Sequence, residues 1–277
     1  MADGDVTGIE IRLLVEAIFH RWGHDFREYA PASLRRRVLH ACERMGVPSI
    51  SALQARVLHD EDGFAQLLQY LTVPVSEMFR DPAYFLALRQ EVVPHLRTYP
   101  SLKVWVAGCS TGEEAYSLAI LLQEEGLLER TILYATDINP VSLDRARKGI
   151  YPADSLQAFT RNYQMAGGTG SFASYYTAAY DKAVFDRKLR EGITFADHSL
   201  ATDSVFAETH LVSCRNVLIY FNRTLQDRAL GLFHDSLTHR GFLGLGSKET
   251  LEFSGYAHRF EPLVLRERIY RRKGIAT

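Results

Sequence analysis

The chain has 277 residues, 47% of them hydrophobic, and a formal net charge of −1, which accommodates one large α/β domain beside a smaller one and excludes a general attraction to nucleic acid or membrane surfaces. Its three cysteines, Cys42, Cys109 and Cys214, are odd in number and widely spaced, which suits a reducing cytoplasm rather than a disulfide framework or zinc site. The acidic start Met1 to Asp5 has no apolar signal core, and no apolar run approaches a membrane span.

The first 80 residues read as a helical bundle. Ile9, Leu13, Leu14, Ala17 and Ile18 mark one amphipathic face. Ser33 is placed to cap a second helix, with Leu34, Val38, Leu39 and Cys42 inward and Gly46 and Pro48 as its stop. Ser51 is placed to cap a third, with Leu53, Val57 and Leu58 inward, and Phe64, Leu67, Leu68 and Leu71 mark a fourth. His20 and His24 stand four apart, but Gly23 intervenes and no acid motif accompanies them, so no metal site is expected. Arg35, Arg36 and Arg37, with Arg44 further on, form a basic run on the second helix. Such a run is usually a solvated face; the alternative is docking of an acidic helical partner.

Pro74 to Pro82 joins the bundle to a second domain spanning residues 81 to 277. Phe79 is expected to pack inside, holding the Arg80 guanidinium where it can pair with a carboxylate. Phe85 to Leu96 reads as a helix. Val104 to Ala107 then reads as a buried parallel strand, broken by Gly108 to Gly112 and resumed at Glu113 as a helix with Ala115, Leu118, Ala119 and Leu122 inward. A strand, a small-residue turn and a helix let a nucleotide-like ligand approach the backbone at a helix N-terminus, though many such turns are small for packing reasons alone. Glu113 and Glu114 suit the helix dipole but repel a pyrophosphate, which favours a ligand with positive charge or hydroxyl donors. Thr131 to Asp137 is a second strand, its terminal acid 25 residues beyond Gly112. Asp137 is placed to take ribose hydroxyls or to cap the helix after Asn139 and Pro140, and the two roles are compatible.

Val141 to Lys148 reads as a helix, and residues near 155 to 191 as an insertion, with a flexible Gly167 to Ser171 and an aromatic-rich Phe172 to Phe185. Ile193 to Ala196 and His210 to Cys214 are the third and fourth strands. Arg215 and Asn216 fall at a C-terminal strand end, where open parallel sheets place ligands. Leu225 to Leu237 is an amphipathic helix, Gly241 to Gly246 a fifth strand, and Leu263 to Arg271 an antiparallel edge strand. The order specifies a doubly wound α/β domain.

Five segments in matching order carry a resemblance: Ser76 to Pro82, Ala107 to Ser117, Ala135 to Asn139, Cys214 to Phe221 and Gly241 to Glu249. The chain resembles the CheR-type chemotaxis receptor methyltransferases, protein-glutamate O-methyltransferases that use S-adenosylmethionine and release S-adenosylhomocysteine. The resemblance implies a Rossmann-like methyltransferase sheet with an N-terminal helical bundle and a small insertion subdomain, in a cytoplasmic monomer whose partner is a chemoreceptor cytoplasmic domain. It implies that Arg80 and Glu114 hold the methionine end of the cofactor, and Asp137 the ribose. Ser76, Gly108, His198, Ser199, Cys214, Arg215 and Asn216 would complete the cofactor site. Arg80 and Tyr220 would face the reacting groups, and Arg35, Arg36 and Arg37 would dock the acidic receptor helices. Pro74, Ser76, His198, Ser199 and His210 depart from residues common in the family. The insertion corresponds to a β-subdomain that in some relatives binds a receptor's C-terminal pentapeptide, but its glycine pattern does not match that version. Two other readings are a methyltransferase for another protein or small acid, and a non-catalytic cofactor-binding signalling module.

Overall fold

The structure is a computed structural model that describes residues 5–74 and 76–274; the acidic residues 1–4 of the expected N-terminal stretch lie outside the described residues. Four helices come first: α1 (Val6–Trp22), α2 (Pro31–Arg44), α3 (Ile50–His59) and α4 (Glu61–Leu71). They enclose their own core of Leu14, Ile18, Val38, Leu53, Val57 and Leu67. Ile9, Leu13 and Leu39, expected inward, are exposed, and Ile11, Val15 and Ala41 are buried in their place. The caps also differ. Ser49 rather than Ser51 caps α3 by accepting from the Ala52 N–H, and α2 starts at Pro31, whose fixed φ suits a first helical turn, ahead of Ser33.

The linker leads into α5 (Pro82–Ala87), a π-helical turn over Leu88–Val92 and α6 (Val93–Leu96), so the single helix expected there is interrupted. The second domain then runs β1 (Leu102–Ala107), α7 (Glu113–Glu124), β2 (Thr131–Asp137), α8 (Pro140–Lys148), β3 (Ile150–Pro152), α9 (Leu156–Met165), β4 (Tyr176–Ala179), β5 (Lys182–Phe185), α10 (Arg187–Glu191), β6 (Ile193–Asp197), β7 (Thr209–Cys214), α11 (Arg223–Ser236), β8 (Leu237–Leu245), β9 (Phe260–Val264) and β10 (Ile269–Arg272). The main sheet has the order β6-β2-β1-β7-β8-β10-β9. β6, β2, β1, β7 and β8 are parallel, and the last two strands antiparallel. The single edge strand expected over Leu263 to Arg271 is therefore a hairpin. The chain leaves β1 toward β2 on one side and returns as β7 on the other, so the β1/β7 boundary is the topological switch point where this architecture opens a crevice.

The insertion is a three-stranded sheet of order β3-β5-β4. It begins at Ile150, a few residues before the expected start, because β3 pairs with β5. One buried network ties it down. The Arg89 guanidinium bonds the Ala166 carbonyl (3.1 Å) and pairs with Glu125 (3.0 Å) and Glu124, which also accepts from the Tyr163 and Tyr175 hydroxyls. Burial pushes the Glu124 carboxyl up, but the Tyr163 and Arg89 hydrogen bonds outweigh it and leave it below its ordinary value. Its contribution to stability is present above the unfolded value of 4.5 and lost as pH falls through the lower folded value. Arg89→Ala leaves Glu124 buried without its cation and is predicted to lower stability by about 3–5 kcal/mol at neutral pH, with a smaller difference in acid; urea unfolding of both proteins across pH checks this.

Candidate functional site

A cleft open to solvent lies at the switch point between the helical domain and the C-terminal ends of the parallel strands. Its floor is the turn after β1. Gly108 sits at φ 75° and Ser110 at φ 51°; a side chain at 108 would place its Cβ 2.5 Å from Val217 Cγ2, so only glycine lets the two strand ends pack this closely. The Gly108 and Cys109 amides both donate to the Thr136 carbonyl at 2.8 Å, which binds the turn to the end of β2.

The sheet domain brings two carboxylates, Asp137 and Glu114, to the cleft. Asp137 accepts from the Ser110 amide (2.9 Å) and the Asn139 amide (2.9 Å). Burial pushes its carboxyl above the usual aspartate range and nearby Asp197 adds to the rise, while these backbone hydrogen bonds oppose it. Capping of α8 falls instead to Asn139, whose Oδ1 accepts from Val141 and Ser142. Glu114 accepts from Ser213 Oγ (2.6 Å) and from Arg215 Nη1 (3.2 Å). Arg215 also reaches Asp81 (2.7 Å) and the Arg80 carbonyl (3.0 Å). Its side chain is 1% exposed. Arg215 thus holds Glu114 and the linker in place, a positioning role. Glu113 turns away from the cleft and bonds Thr111 Oγ1; burial raises its carboxyl.

Ser76, Arg80, Gly108, Glu114, Asp137, His198, Ser199, Arg215, Asn216 and Tyr220 all line this one cleft. Cys214 does not: it is fully buried in the core between the sheet and α11. Alternation along β7 sends Ser213 toward Glu114 and Cys214 to the opposite face.

The basic run divides. Arg35 and Arg36 are exposed on α2, and Arg35 pairs with Asp5. Arg37 lies on the Leu34, Val38 and Ala41 face and is buried. Its guanidinium donates to the Leu71 carbonyl and stacks 4.3 Å from the centre of the Tyr220 ring, inside the cleft. Arg37 is therefore not part of an outward docking face. The helical spacing of Arg37 with those apolar residues was the readable signal for this. His24, Asp25, Tyr29 and the Leu71–Val73 segment also line the cleft from the helical domain. Tyr29 pairs with Phe221 as an isolated β-bridge, and the Ala30 amide donates to the Tyr220 carbonyl at 2.8 Å. Among the described residues no cluster of histidine, cysteine or acidic side chains could hold a metal, and no helix is long and apolar enough to cross a membrane.

Residues 74–268 match the family described as CheR methyltransferase, SAM binding domain, and residues 9–72 match CheR methyltransferase, all-alpha domain. A Pseudomonas putida protein with the provisional name methyltransferase Cher3 is 68% identical over 266 residues, covering 96% of this chain and 97% of that one. Chemotaxis protein methyltransferase 2 of Pseudomonas aeruginosa is 33% identical over 200 residues, 69% of each chain. A chemotaxis protein methyltransferase of Listeria monocytogenes is 28% identical over 231 residues, 83% of this chain and 85% of its own.

The donor set fits S-adenosylmethionine. Two carboxylates can accept from an ammonium and from ribose hydroxyls, a half-buried arginine at 80 can meet a carboxylate, and the glycine turn leaves room at the backbone. Asp137→Ala is predicted to weaken S-adenosylhomocysteine binding about 10- to 100-fold, the scale of hydrogen bonds to an ionised group; calorimetry on the folded variant checks it, and unchanged affinity would remove Asp137 from the cofactor site. By sequence and by the chemistry of its cleft, the chain belongs to the CheR methyltransferase family, and its cofactor is S-adenosylmethionine.

Proposed function

We propose that the protein transfers a methyl group from S-adenosylmethionine to glutamate side-chain carboxylates of a chemoreceptor cytoplasmic helix, forming methyl esters in chemotaxis-type signalling. The observation that carries this reading is Arg37 stacked on Tyr220 within an open cleft. A guanidinium and a phenol at one place suit an incoming carboxylate, and a cleft open to solvent suits a side chain on a protein. The names of the Pseudomonas and Listeria chemotaxis relatives support a receptor as acceptor.

When bound, S-adenosylmethionine supplies an electrophilic methyl group that a carboxylate oxygen takes, leaving S-adenosylhomocysteine. A glutamate carboxylate is ionised at pH 7, so the chain needs no general base. Its work is to bind, orient and exclude water, and alignment of this kind is worth roughly 7–11 kcal/mol. Arg80 and Glu114 hold the charged end of the cofactor, and Asp137 its ribose. Ser76, Gly108, His198, Ser199 and Asn216 border the rest. Arg37 and Tyr220 orient the acceptor carboxylate. One Arg37 N–H is already committed to the Leu71 carbonyl, which limits how tightly the guanidinium can grip an acceptor and so blunt its nucleophilicity. On the outer face of α2, exposed Arg35 and Arg36 meet the acidic surface flanking the acceptor glutamate.

The division of labour makes two predictions. Tyr220→Phe lowers turnover about tenfold with S-adenosylhomocysteine affinity little changed, whereas Arg37→Gln raises the acceptor KM at least about tenfold. Steady-state kinetics with calorimetry separates these effects, and equal loss of cofactor binding in both variants would contradict the assignment. The reading itself is tested with methyl-labelled S-adenosylmethionine and receptor-containing membranes from the source cell. Label on a membrane protein, released by base as methanol, is the expected result. Base-stable label would mean a different acceptor atom. Absence of label with cofactor binding intact would favour a non-catalytic module.

A further inference from the structure

Glu249 is a buried carboxylate, 4% exposed, that the chemistry above does not use. Its Oε2 accepts from the Gly246 amide (2.6 Å) and the Asn216 amide (3.0 Å), and its Oε1 from the Ile219 amide (3.3 Å). Burial pushes its carboxyl up, and these backbone hydrogen bonds pull it back. Among the described residues no ion pair includes it. A buried carboxylate without a cation is unfavourable unless hydrogen-bond donors replace its water. Here every donor is main chain, and two of the three belong to the loop between β7 and α11.

That loop carries Arg215, Asn216 and Tyr220 into the cleft. Asn216 holds φ 60°, a left-handed conformation that a non-glycine residue keeps only when its surroundings impose it. The loop has no slack on either side. A Cβ at 246 would lie 2.7 Å from the Asn216 nitrogen, and one at 108 would lie 2.5 Å from Val217. A shift of Asn216 therefore moves its neighbour Val217, whose side chain packs on Gly108 of the glycine turn.

We propose that Glu249 is a positioning residue: its carboxylate, bonded to the amides of Asn216, Ile219 and Gly246, fixes the β7–α11 loop against the glycine turn and so shapes the cofactor cleft. It touches neither cofactor nor acceptor. The proposal rests on the cofactor cleft and is independent of which acceptor is methylated.

The test uses the full-length chain and S-adenosylhomocysteine as probe, with calorimetric Kd and thermal unfolding measured for each variant. Glu249→Ala removes both acceptor oxygens and weakens binding at least about tenfold; Glu249→Gln keeps one and weakens it about three- to tenfold. Ser236→Ala is the control. Ser236 is buried at the far ends of β7 and β8, where its hydroxyl bonds the Ala207 carbonyl at 2.8 Å. This variant lowers the unfolding midpoint but leaves Kd within about twofold. Should Glu249→Ala fail to fold, Glu249→Gln decides alone. Folded Glu249 variants binding within about twofold of the parent chain would overturn the proposal. So would Ser236→Ala weakening binding as much as Glu249→Ala, since the effect would then be general loosening.

Discussion

The buried guanidinium of Arg215 is the constraint on which the site depends. It joins three segments distant in sequence: the linker through Asp81 and the Arg80 carbonyl, the first turn of α7 through Glu114, and the end of β7 that carries it. It stacks on Tyr84 at 4.2 Å. The Tyr84 hydroxyl lies 2.8 Å from Ser213 Oγ, which bonds Glu114 in turn. Arg215 is taken from water and Glu114 nearly so, while Asp81 keeps part of its solvent contact; a buried guanidinium is tolerable only when carboxylates and a carbonyl replace its water. The left-handed residues on either side of Arg80 are each held: Asp81 by its ion pair with Arg215, and Phe79 by its amide on Ser117 Oγ (2.8 Å). Glu114 is held at a defined place by Ser213 and Arg215, as the role proposed for it toward the cofactor ammonium requires.

The helical domain is part of the cleft. Two clasps hold it, both beside residues of the site. Asn139 bonds Thr72 (2.8 Å) and Gln69 (3.3 Å) while its amide donates to Asp137. The Glu28–Ala30 segment lies along Tyr220–Asn222 through main-chain hydrogen bonds of 2.8 and 2.9 Å. Arg37 is placed by the helical domain and Tyr220 by the sheet domain, so the pair proposed to orient the acceptor exists only when the domains are docked.

The parts of the site set by local pattern were legible in the sequence. A strand broken by glycines, an acid ending the next strand and Arg215-Asn216 at a strand end are local signals, and the sheet places all three at one crevice. Where the sequence reading and the structure differ, the cause is common, because side-chain direction is set by the element and not by the run of residues. Cys214 is expected with its neighbours at the cleft, whereas strand alternation turns its side chain into the core. Arg37 is expected with Arg35 and Arg36 on an outer face, whereas helical periodicity turns it inward. Tyr29, His24 and Asp25 carry no local signal, since only the docking of two domains brings them to the cleft. Glu249 belonged to a matching segment, but its role depends on loop amides that no sequence pattern reveals.

The most direct measurement is a crystal structure of the full-length protein with S-adenosylhomocysteine. The account predicts the product in the cleft between the two domains, its ribose on Asp137 and its amino-acid end at Glu114 and Arg80, with Arg37 still stacked on Tyr220 beside the sulfur. Product bound elsewhere, or bound with the helical domain swung away and Arg37 parted from Tyr220, would contradict it.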